Sequence, residues 1–177
     1  MTIEMKDNLL GDIHLTELDR LIDSPDFEWY LQKEQVMETA DGCLLSHLIY
    51  EENVPRSAAF GPIIEIFQDY LKYLSLCRIT VYLLLKQKNP SISSFHTDFV
   101  KAGEPEEKTK SKITTAIFYL NTNNGYTEFE SGDRIDCVRN RLVMFPTNIL
   151  HRAIGQTDVN YRIVLNFNFI KCENETI

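Results

Sequence analysis

The spacing of hydrophobic residues changes along the chain from a helical period to a strand period. Between residues 61 and 74, apolar positions recur every three or four residues, which predicts an amphipathic helix whose first turn suits Pro62. The apolar positions are Ile63, Ile66, Phe67, Tyr70, Leu71 and Leu74. Because a helix with one apolar face needs a partner to cover it, we expect a sheet beneath this helix.

Segments typical of strands dominate after residue 77, and turn signals such as Asn89-Pro90 and Asn121–Gly125 separate them. The predicted strands cover residues 78–86, 94–100, 113–120, 126–130, 135–138, 142–145, 149–154 and 161–170. Earlier in the chain, residues 14–22 predict a short helix, and residues 27–32 and 44–50 predict two more strands. About eight short strands after one main helix predict a mainly β fold with flanking helices, a jelly roll backed by the helix.

The closing predicted strand, residues 161–170, has two faces of different character. One face is entirely apolar and consists of Tyr161, Ile163, Leu165, Phe167 and Phe169, while the other consists of Arg162, Val164, Asn166 and Asn168. We expect the apolar face to pack against the main helix, so that Arg162 points into the interior of the jelly roll. Because a buried arginine without an anion is costly, either a buried Asp or Glu or the carboxylate of a ligand should meet it.

The composition is that of an ordinary globular protein, with 177 residues, 44% hydrophobic residues and a net charge of −8. This charge argues against a nucleic-acid partner, which favours a basic face. The four cysteines form no CxxC pair, which favours reduced thiols in a cytoplasmic protein. No apolar run resembles a signal core or is long enough to cross a bilayer, so we expect no membrane association.

His96-Thr97-Asp98 is the motif with the most specific chemistry. The period of two in a strand places His96 and Asp98 on the same face, and His151 from a distant segment would complete a set of three ligands. Two imidazoles and one carboxylate suit non-haem Fe(II) with open positions. A His-x-Asp motif alone is weak, because about one chain in four of this composition would contain it by accident. Arg162 adds weight because it follows His151 by eleven residues, which is enough for a strand, a turn and the start of the returning strand.

These segments together resemble the iron- and 2-oxoglutarate-dependent dioxygenases, specifically their prolyl-4-hydroxylase-like branch. The resemblance covers roughly residues 78–170, and the N-terminal part is similar to small stand-alone members from bacteria and phages. The residues that carry it are Phe95–Phe99, Thr115–Asn121, Asn124–Phe129, Leu142–Pro146, His151 and Tyr161-Arg162.

The resemblance implies a double-stranded β-helix (jelly roll, cupin-like) with helices on its major sheet. It implies that His96, Asp98 and His151 bind Fe(II) and that Arg162 pairs with the distal carboxylate of 2-oxoglutarate. It also implies that the Tyr119 phenol hydrogen-bonds this cosubstrate. Many relatives carry a second tyrosine about ten residues before the His-x-Asp motif, where this chain has Lys86, and the nearest tyrosine on that strand is Tyr82.

The activity implied is hydroxylation of a C–H bond, with dioxygen as co-reactant, ascorbate as a candidate stimulant, and succinate and CO₂ as co-products. A prolyl or other protein side chain is the first candidate substrate. The alternatives are a free amino acid, small metabolite or alkylated base with the same cofactors, and a cupin-like binding module or structural jelly roll without turnover. The sequence leaves the substrate and the oligomeric state open.

We expect one catalytic domain over residues 1–177, with N-terminal strands and the supporting helix in 1–77 and the jelly-roll core in 78–170. Residues 101–112 have no apolar periodicity and seven charged positions, which is typical of a surface loop. Because this segment directly follows Asp98, a lid over the substrate entrance and a plain solvated loop are both open interpretations.

Overall fold

A computed structural model describes residues 3–32, 43–98 and 112–172. Within these residues the chain forms two helices, α1 (Asp12–Ile22) and α2 (Phe60–Leu71), and eleven strands. The strands are β1 (Glu4–Lys6), β2 (Tyr30–Leu31), β3 (Leu44–Glu51), β4 (Val54–Pro55), β5 (Tyr73–Leu85), β6 (Thr114–Tyr119), β7 (Tyr126–Phe129), β8 (Arg134–Asp136), β9 (Arg141–Pro146), β10 (His151–Ile154) and β11 (Tyr161–Lys171).

The strands form two antiparallel sheets that face each other. The major sheet has the order β1-β9-β6-β11-β5-β3-β2, with β4 added at β3, and the minor sheet has the order β10-β7-β8. Strands that are distant in sequence lie side by side, since β11 pairs with both β5 and β6. This double-stranded β-helix, with a helix on its major sheet, confirms the predicted fold class.

Helix α2 covers the outer face of the major sheet. The Phe67 ring contacts Phe118 of β6 and Phe167 of β11, with ring centroids 5.0 Å and 4.9 Å apart. Ile163, Leu165 and Phe169 belong to the same buried cluster, as the alternation along β11 predicted. Tyr161 differs from that prediction because it stands at the start of the strand and is 43% exposed. The opposite face of β11 is therefore turned toward the minor sheet.

A second, smaller cluster fills the space between the two sheets. It consists of Ile117, Tyr119, Phe129, Cys137, Val143 and Phe145, with Val164 of β11 packed against it. These apolar residues close one part of the interior, so the polar residues of β11 lie beside a packed wall. All four cysteines fall within the described residues and are free thiols. Neither of the two described helices is long and apolar enough to cross a membrane.

The structure differs from the predicted elements at several places, and it adds the short strands β1 and β4, which the sequence did not predict. Helix α2 ends at Leu71 because Lys72 adopts the left-handed conformation (φ 47°, ψ 52°), and β5 then begins at Tyr73, five residues before the predicted strand. The segment 27–32 contains only the two-residue strand β2. The strand predicted over 94–100 is wrong for its described part, residues 94–98, where His96 forms one isolated bridge to His151.

Replacing Phe67 tests the packing of α2 on the major sheet. Phe67→Ala removes a fully buried ring that contacts both β6 and β11. We therefore expect the free energy of unfolding to fall by about 3–5 kcal/mol. Urea denaturation followed by circular dichroism measures this loss. Leu74→Ala is the control, since Leu74 is 73% exposed and its replacement should change the free energy of unfolding by no more than about 0.5 kcal/mol. Equal losses for the two variants would contradict this packing.

Candidate metal centre

His96 and His151 are brought together by an antiparallel backbone bridge. Each residue donates its backbone N–H to the carbonyl oxygen of the other, at 3.0 Å in both directions. Residues paired in this way present their side chains on the same face, and the two imidazole rings lie with centroids 4.8 Å apart. The fold therefore joins two histidines that are 55 positions apart in the sequence.

The segment that carries His96 reaches this position through a bulge. Its two bridges to β10 join Ile92 to Ile154 and His96 to His151, so a step of four residues on one side faces a step of three on the other. Between them, Ser93 donates its backbone N–H to Ala153, and the Ser93 hydroxyl accepts the Ala153 N–H at 2.9 Å. A side chain thus replaces a backbone acceptor, which explains why no regular strand forms here.

The hydrogen bonds of the two rings fix which nitrogen faces Asp98. His96 Nδ1 lies 2.9 Å from the carbonyl oxygen of Ser94, and His151 Nδ1 lies 3.0 Å from that of Ile149. A carbonyl oxygen can only accept a hydrogen bond, so each Nδ1 carries a proton. In the neutral rings Nε2 is then the atom with a free lone pair, which is the arrangement that orients a metal-ligating histidine.

Asp98 completes a cluster of three donor atoms. Its Oδ1 lies 3.5 Å from His151 Nε2 and 3.8 Å from His96 Nε2. The Asp98 side chain is only 8% exposed, and its Oδ2 accepts hydrogen bonds from Asn166 and Asn168 at 3.0 Å and 3.4 Å. The three residues implied as metal ligands by the sequence resemblance therefore meet at one point in the structure.

The cluster favours an ionised Asp98 carboxylate and a neutral His96 ring. Burial alone would raise the pKa of Asp98, but hydrogen bonding and charge from His151, with the Asn166 amide, hold it well below its ordinary value. Burial lowers the pKa of His96, and His151 adds to this effect. Burial also acts to lower the pKa of His151, but the hydrogen bond and charge of Asp98 outweigh it and raise that pKa. A metal ion bound here would take the place of the proton that Asp98 favours on His151.

The donor set and its spacing fit a first-row transition metal. The ligand atoms of His96, Asp98 and His151 all lie within 4.8 Å of one another. A metal that binds neighbouring ligands at about 2.1 Å holds them about 3 Å apart, so the observed pairs with Asp98 need to close by no more than about 1 Å. Two imidazoles and one carboxylate are the donors of non-haem Fe(II) sites that keep positions open for other ligands.

A cavity of about 290 Å³ opens beside these ligands. Its wall is part apolar, from side chains such as Ile117 and Val164, and part polar. Three arginines also line it: Arg78, Arg152 and Arg162. Asp98 is the one carboxylate among the described lining residues, and Arg152 is paired with Glu128 at 2.6 Å.

Arg162 lies in this cavity as a buried cation, 4% exposed. Its Nη2 donates to the Thr127 hydroxyl at 3.3 Å, and its guanidinium lies 5.7 Å from the centre of the Tyr119 ring. Its Nε is buried without a hydrogen-bond partner, and no Asp or Glu of the described residues pairs with it. The arrangement fits the carboxylate of a ligand, because such a group would supply both the missing charge and the missing acceptor.

The two predicted tyrosines lie on either side of Val164, at the same level of the major sheet. Tyr82 of β5 and Tyr119 of β6 are both paired with Val164, so all three point to the interior. Tyr82 lines the cavity, and burial raises the pKa of its phenol. Tyr119 lies behind the cavity wall, where burial raises its pKa to about 12 and its hydroxyl bonds to Thr127 at 2.8 Å. Among the described residues Tyr119 therefore reaches the cavity only through Thr127 and Arg162.

Three side chains that contact the predicted site residues were missed by the sequence reasoning. Thr127 holds both Arg162 and Tyr119, and Asn166 and Asn168 hold Asp98. The alternation along β11 already placed both asparagines on the same face as Arg162, which was the available signal. Thr127 gave no comparable signal, because its part in the site depends on how β7 packs across from β11. The segment considered as a lid lies outside the described residues, except for Lys112.

Sequence comparison finds no matching protein-family model, and no curated protein matches. Comparison of structures does find similar proteins. A prolyl-4-hydroxylase from Pseudomonas putida superimposes with a TM-score of 0.57 at 14% identity, over 96% of this chain and 92% of that one. An oxidoreductase of the 2OG-Fe(II) oxygenase family from Burkholderia pseudomallei superimposes with a TM-score of 0.63 at 10% identity, over 95% of this chain and 85% of that one.

A third similar structure is SnoN, a non-haem α-ketoglutarate-dependent epimerase from nogalamycin biosynthesis. It superimposes with a TM-score of 0.60 at 14% identity, over 96% of this chain and 77% of that one. At such low identity these likenesses concern the fold. The chain has the double-stranded β-helix fold of the prolyl hydroxylases and other 2-oxoglutarate–Fe(II) oxygenases, the fold that the sequence resemblance implied.

Proposed function

We propose that this protein is an Fe(II)- and 2-oxoglutarate-dependent dioxygenase that hydroxylates a C–H bond and releases succinate and CO₂. The observation that carries this proposal is Arg162, a buried cation with an unpartnered Nε, in the same cavity as the His96–Asp98–His151 cluster. A passive metal-binding module has no use for such an arginine. A carboxylate cosubstrate that also binds the metal would need both features together.

Each residue of the site has a separate task in this proposal. His96, Asp98 and His151 hold Fe(II), and Arg162, oriented by Thr127, holds the distal carboxylate of 2-oxoglutarate. The bound metal and cosubstrate supply the oxidising power, using dioxygen to convert 2-oxoglutarate to succinate and CO₂ and to place an oxygen atom on the substrate carbon. The apolar side chains Leu84, Ile117 and Val164 line the cavity and limit the access of water to it. Tyr82 lines the cavity, and in this proposal its phenol donates a hydrogen bond to a cosubstrate oxygen.

A prolyl or other protein side chain is the proposed substrate, supported by the prolyl-4-hydroxylase among the similar structures. A small acid, such as a free amino acid, is a second candidate that Arg78 favours. Arg78 lines the cavity on β5 and donates its Nε to Asn168 at 3.3 Å, close to Asp98 and six residues along β11 from the position of Arg162. A guanidinium at the metal end of the cavity suits a substrate carboxylate.

Arg162 variants test the cosubstrate site. We expect Arg162→Gln to weaken 2-oxoglutarate binding by at least about thirtyfold, because truncating one partner of a buried charge pair costs about 2 kcal/mol or more. Isothermal titration under anaerobic conditions with Fe(II) measures the affinity, and succinate release in air measures turnover. Arg134→Gln is the control, since Arg134 is exposed on β8 and does not line the cavity. If the wild type does not bind 2-oxoglutarate, the proposed function is wrong.

Variants of the histidines and Asp98 test the metal centre separately. His96→Ala, Asp98→Ala and His151→Ala each remove one of three ligands, so we expect Fe(II) or Co(II) affinity to fall by more than a hundredfold, beyond the range of about 10–100-fold for outer contacts. Arg162→Gln should leave the metal affinity nearly unchanged. His14→Ala is the matched control, because His14 lies on α1, away from the cavity. Metal binding without any succinate release would favour the cupin-like module instead.

The two substrate classes predict different responses to Arg78→Gln. The measurement is succinate release stimulated by free L-amino acids, by their carboxamides and by capped prolyl peptides. A small-acid substrate should stimulate only as the free acid, and Arg78→Gln should remove that preference because the guanidinium that reads the carboxylate is lost. Stimulation by capped peptides that Arg78→Gln does not alter would support the protein substrate.

A further inference from the structure

Asp98 is held from behind by two amide side chains of β11. Asn166 Nδ2 and Asn168 Nδ2 donate to Asp98 Oδ2 at 3.0 Å and 3.4 Å, while Oδ1 of the same carboxylate faces the two histidines at 3.5 Å and 3.8 Å. The two carboxylate oxygens therefore have different surroundings. One is directed toward the ligand cluster, and the other is occupied by amide donors.

The orientation of the Asn168 amide is fixed by its neighbours. Its Nδ2 also donates to the Thr115 hydroxyl at 3.1 Å, and its Oδ1 accepts from Arg78 Nε at 3.3 Å. Thr115 in turn bonds to the Thr147 hydroxyl at 2.7 Å. Asn168 is fully buried, so this network holds its NH₂ group toward Asp98 without competition from bulk water.

Asp98 orients the Asn166 amide in a way that leaves the amide oxygen of Asn166 without a hydrogen bond. A carboxylate accepts hydrogen bonds only, so the Asn166 NH₂ group must face it and the Oδ1 must face away. That Oδ1 is buried and has no hydrogen-bond partner. Buried unpaired acceptors are uncommon in native proteins, and here the amide keeps the contact with Asp98 rather than turning to satisfy its oxygen.

From this geometry we infer that Asn166 and Asn168 are positioning residues that hold Asp98 as a one-oxygen metal ligand. This inference rests on the proposed function. A carboxylate can bind a metal through one oxygen or through both, and a second oxygen would take a coordination position that the cosubstrate or dioxygen needs. Two amide donors on Oδ2 oppose that change, because Oδ2 would have to leave both of them to reach the metal.

The period of two along β11 makes this arrangement possible. Asn166 and Asn168 point to the same side as Arg162, so one strand supplies the proposed cosubstrate anchor at one end and the contacts to Asp98 at the other. An apolar side chain at either position would remove a donor from a buried carboxylate oxygen. The metal ligand would then be free to rotate and offer both oxygens.

Metal binding by single and double variants tests the inference. We expect Asn166→Ala and Asn168→Ala to weaken Co(II) binding by about tenfold each, and the double variant by more, within the 10–100-fold range of outer contacts. The visible absorption spectrum of bound Co(II) should also shift, because its coordination changes if Oδ2 joins the metal. Asn166→Leu and Asn168→Leu, which keep the side-chain shape, guard against a fold lost through a cavity, and circular dichroism checks each variant.

The control is a buried amide elsewhere in the chain. Asn140 bonds to both the backbone N–H and the carbonyl of Leu10, and it has a positive φ of 64°. Asn140→Gly keeps that backbone conformation accessible, removes the amide and should lower thermal stability without changing Co(II) affinity or the spectrum. A purely structural role for Asn166 and Asn168 would make their variants behave like this control.

The outcomes separate this inference from the proposed function. If wild type binds Co(II) and the folded Asn166 and Asn168 variants bind it with the same affinity and spectrum, the inference is wrong while the metal centre stands. If wild type itself fails to bind Co(II) and Fe(II), the metal centre and this inference are both wrong. Weaker binding with a shifted spectrum in the variants, and with neither in Asn140→Gly, supports the positioning role.

Discussion

The strict alternation of side chains along β11 is the constraint on which this structure depends. One face of the strand gives Ile163, Leu165 and Phe167 to the core under α2, and the other gives Arg162 and Asn166 to the cavity. A shift of register by one residue would exchange these faces, burying polar groups under the helix and exposing phenylalanines to the cavity. Packing against α2 therefore fixes the site as well as the core, because the same register places both.

The site also depends on the contacts that connect the major sheet to the minor sheet. The candidate ligands His96 and His151 lie on the side of the minor sheet. The amides that orient Asp98 come from the major sheet, and the hydroxyl that bonds to Arg162 comes from the minor sheet. Thr127 of β7 reaches across to Arg162 of β11, and Asn166 of β11 reaches across to Asp98. These polar contacts join the sheets around the cavity, whereas the Phe129 and Phe145 cluster joins them through apolar packing. The cavity is thus bounded by two kinds of contact that both need the sheets at one fixed separation.

The sequence predicted the parts of the fold that depend on local periodicity. The helix over α2, most strands of the jelly roll and the two faces of β11 follow from spacing alone, and they are present in the structure. The segment 94–98 did not follow, because it is preceded by a bulge where the Ser93 hydroxyl replaces a backbone acceptor, which no local pattern reveals. The end of α2 was also missed, because the left-handed conformation of Lys72 occurs at a residue that does not favour it.

Residue type predicted which charged and metal-binding side chains form the candidate site. It did not predict the neutral side chains that contact them. The strand period and the resemblance brought out His96, Asp98 and Arg162, and the structure brings the first two together with His151 around one cavity. Thr127 and the two asparagines are uncharged and common, so only their positions across the interior distinguish them. Tyr119 shows the same limit, because its face was predicted correctly, yet its depth behind Thr127 depends on how the sheets stack.

The charge of the cavity differs from the charge of the whole protein. The chain carries a net charge of −8, but Arg78, Arg152 and Arg162 line the cavity and only Asp98 opposes them among the described lining residues. Glu128 pairs with Arg152 at 2.6 Å, whereas Arg162 has no carboxylate partner among the described residues. A divalent metal and a dianionic cosubstrate together would leave the net charge of the cavity unchanged. In the proposed function, the distal carboxylate of the cosubstrate would supply the anionic partner that Arg162 lacks. The charge that a ligand meets in the cavity therefore depends on the few side chains that line it, and the net charge of the chain does not predict it.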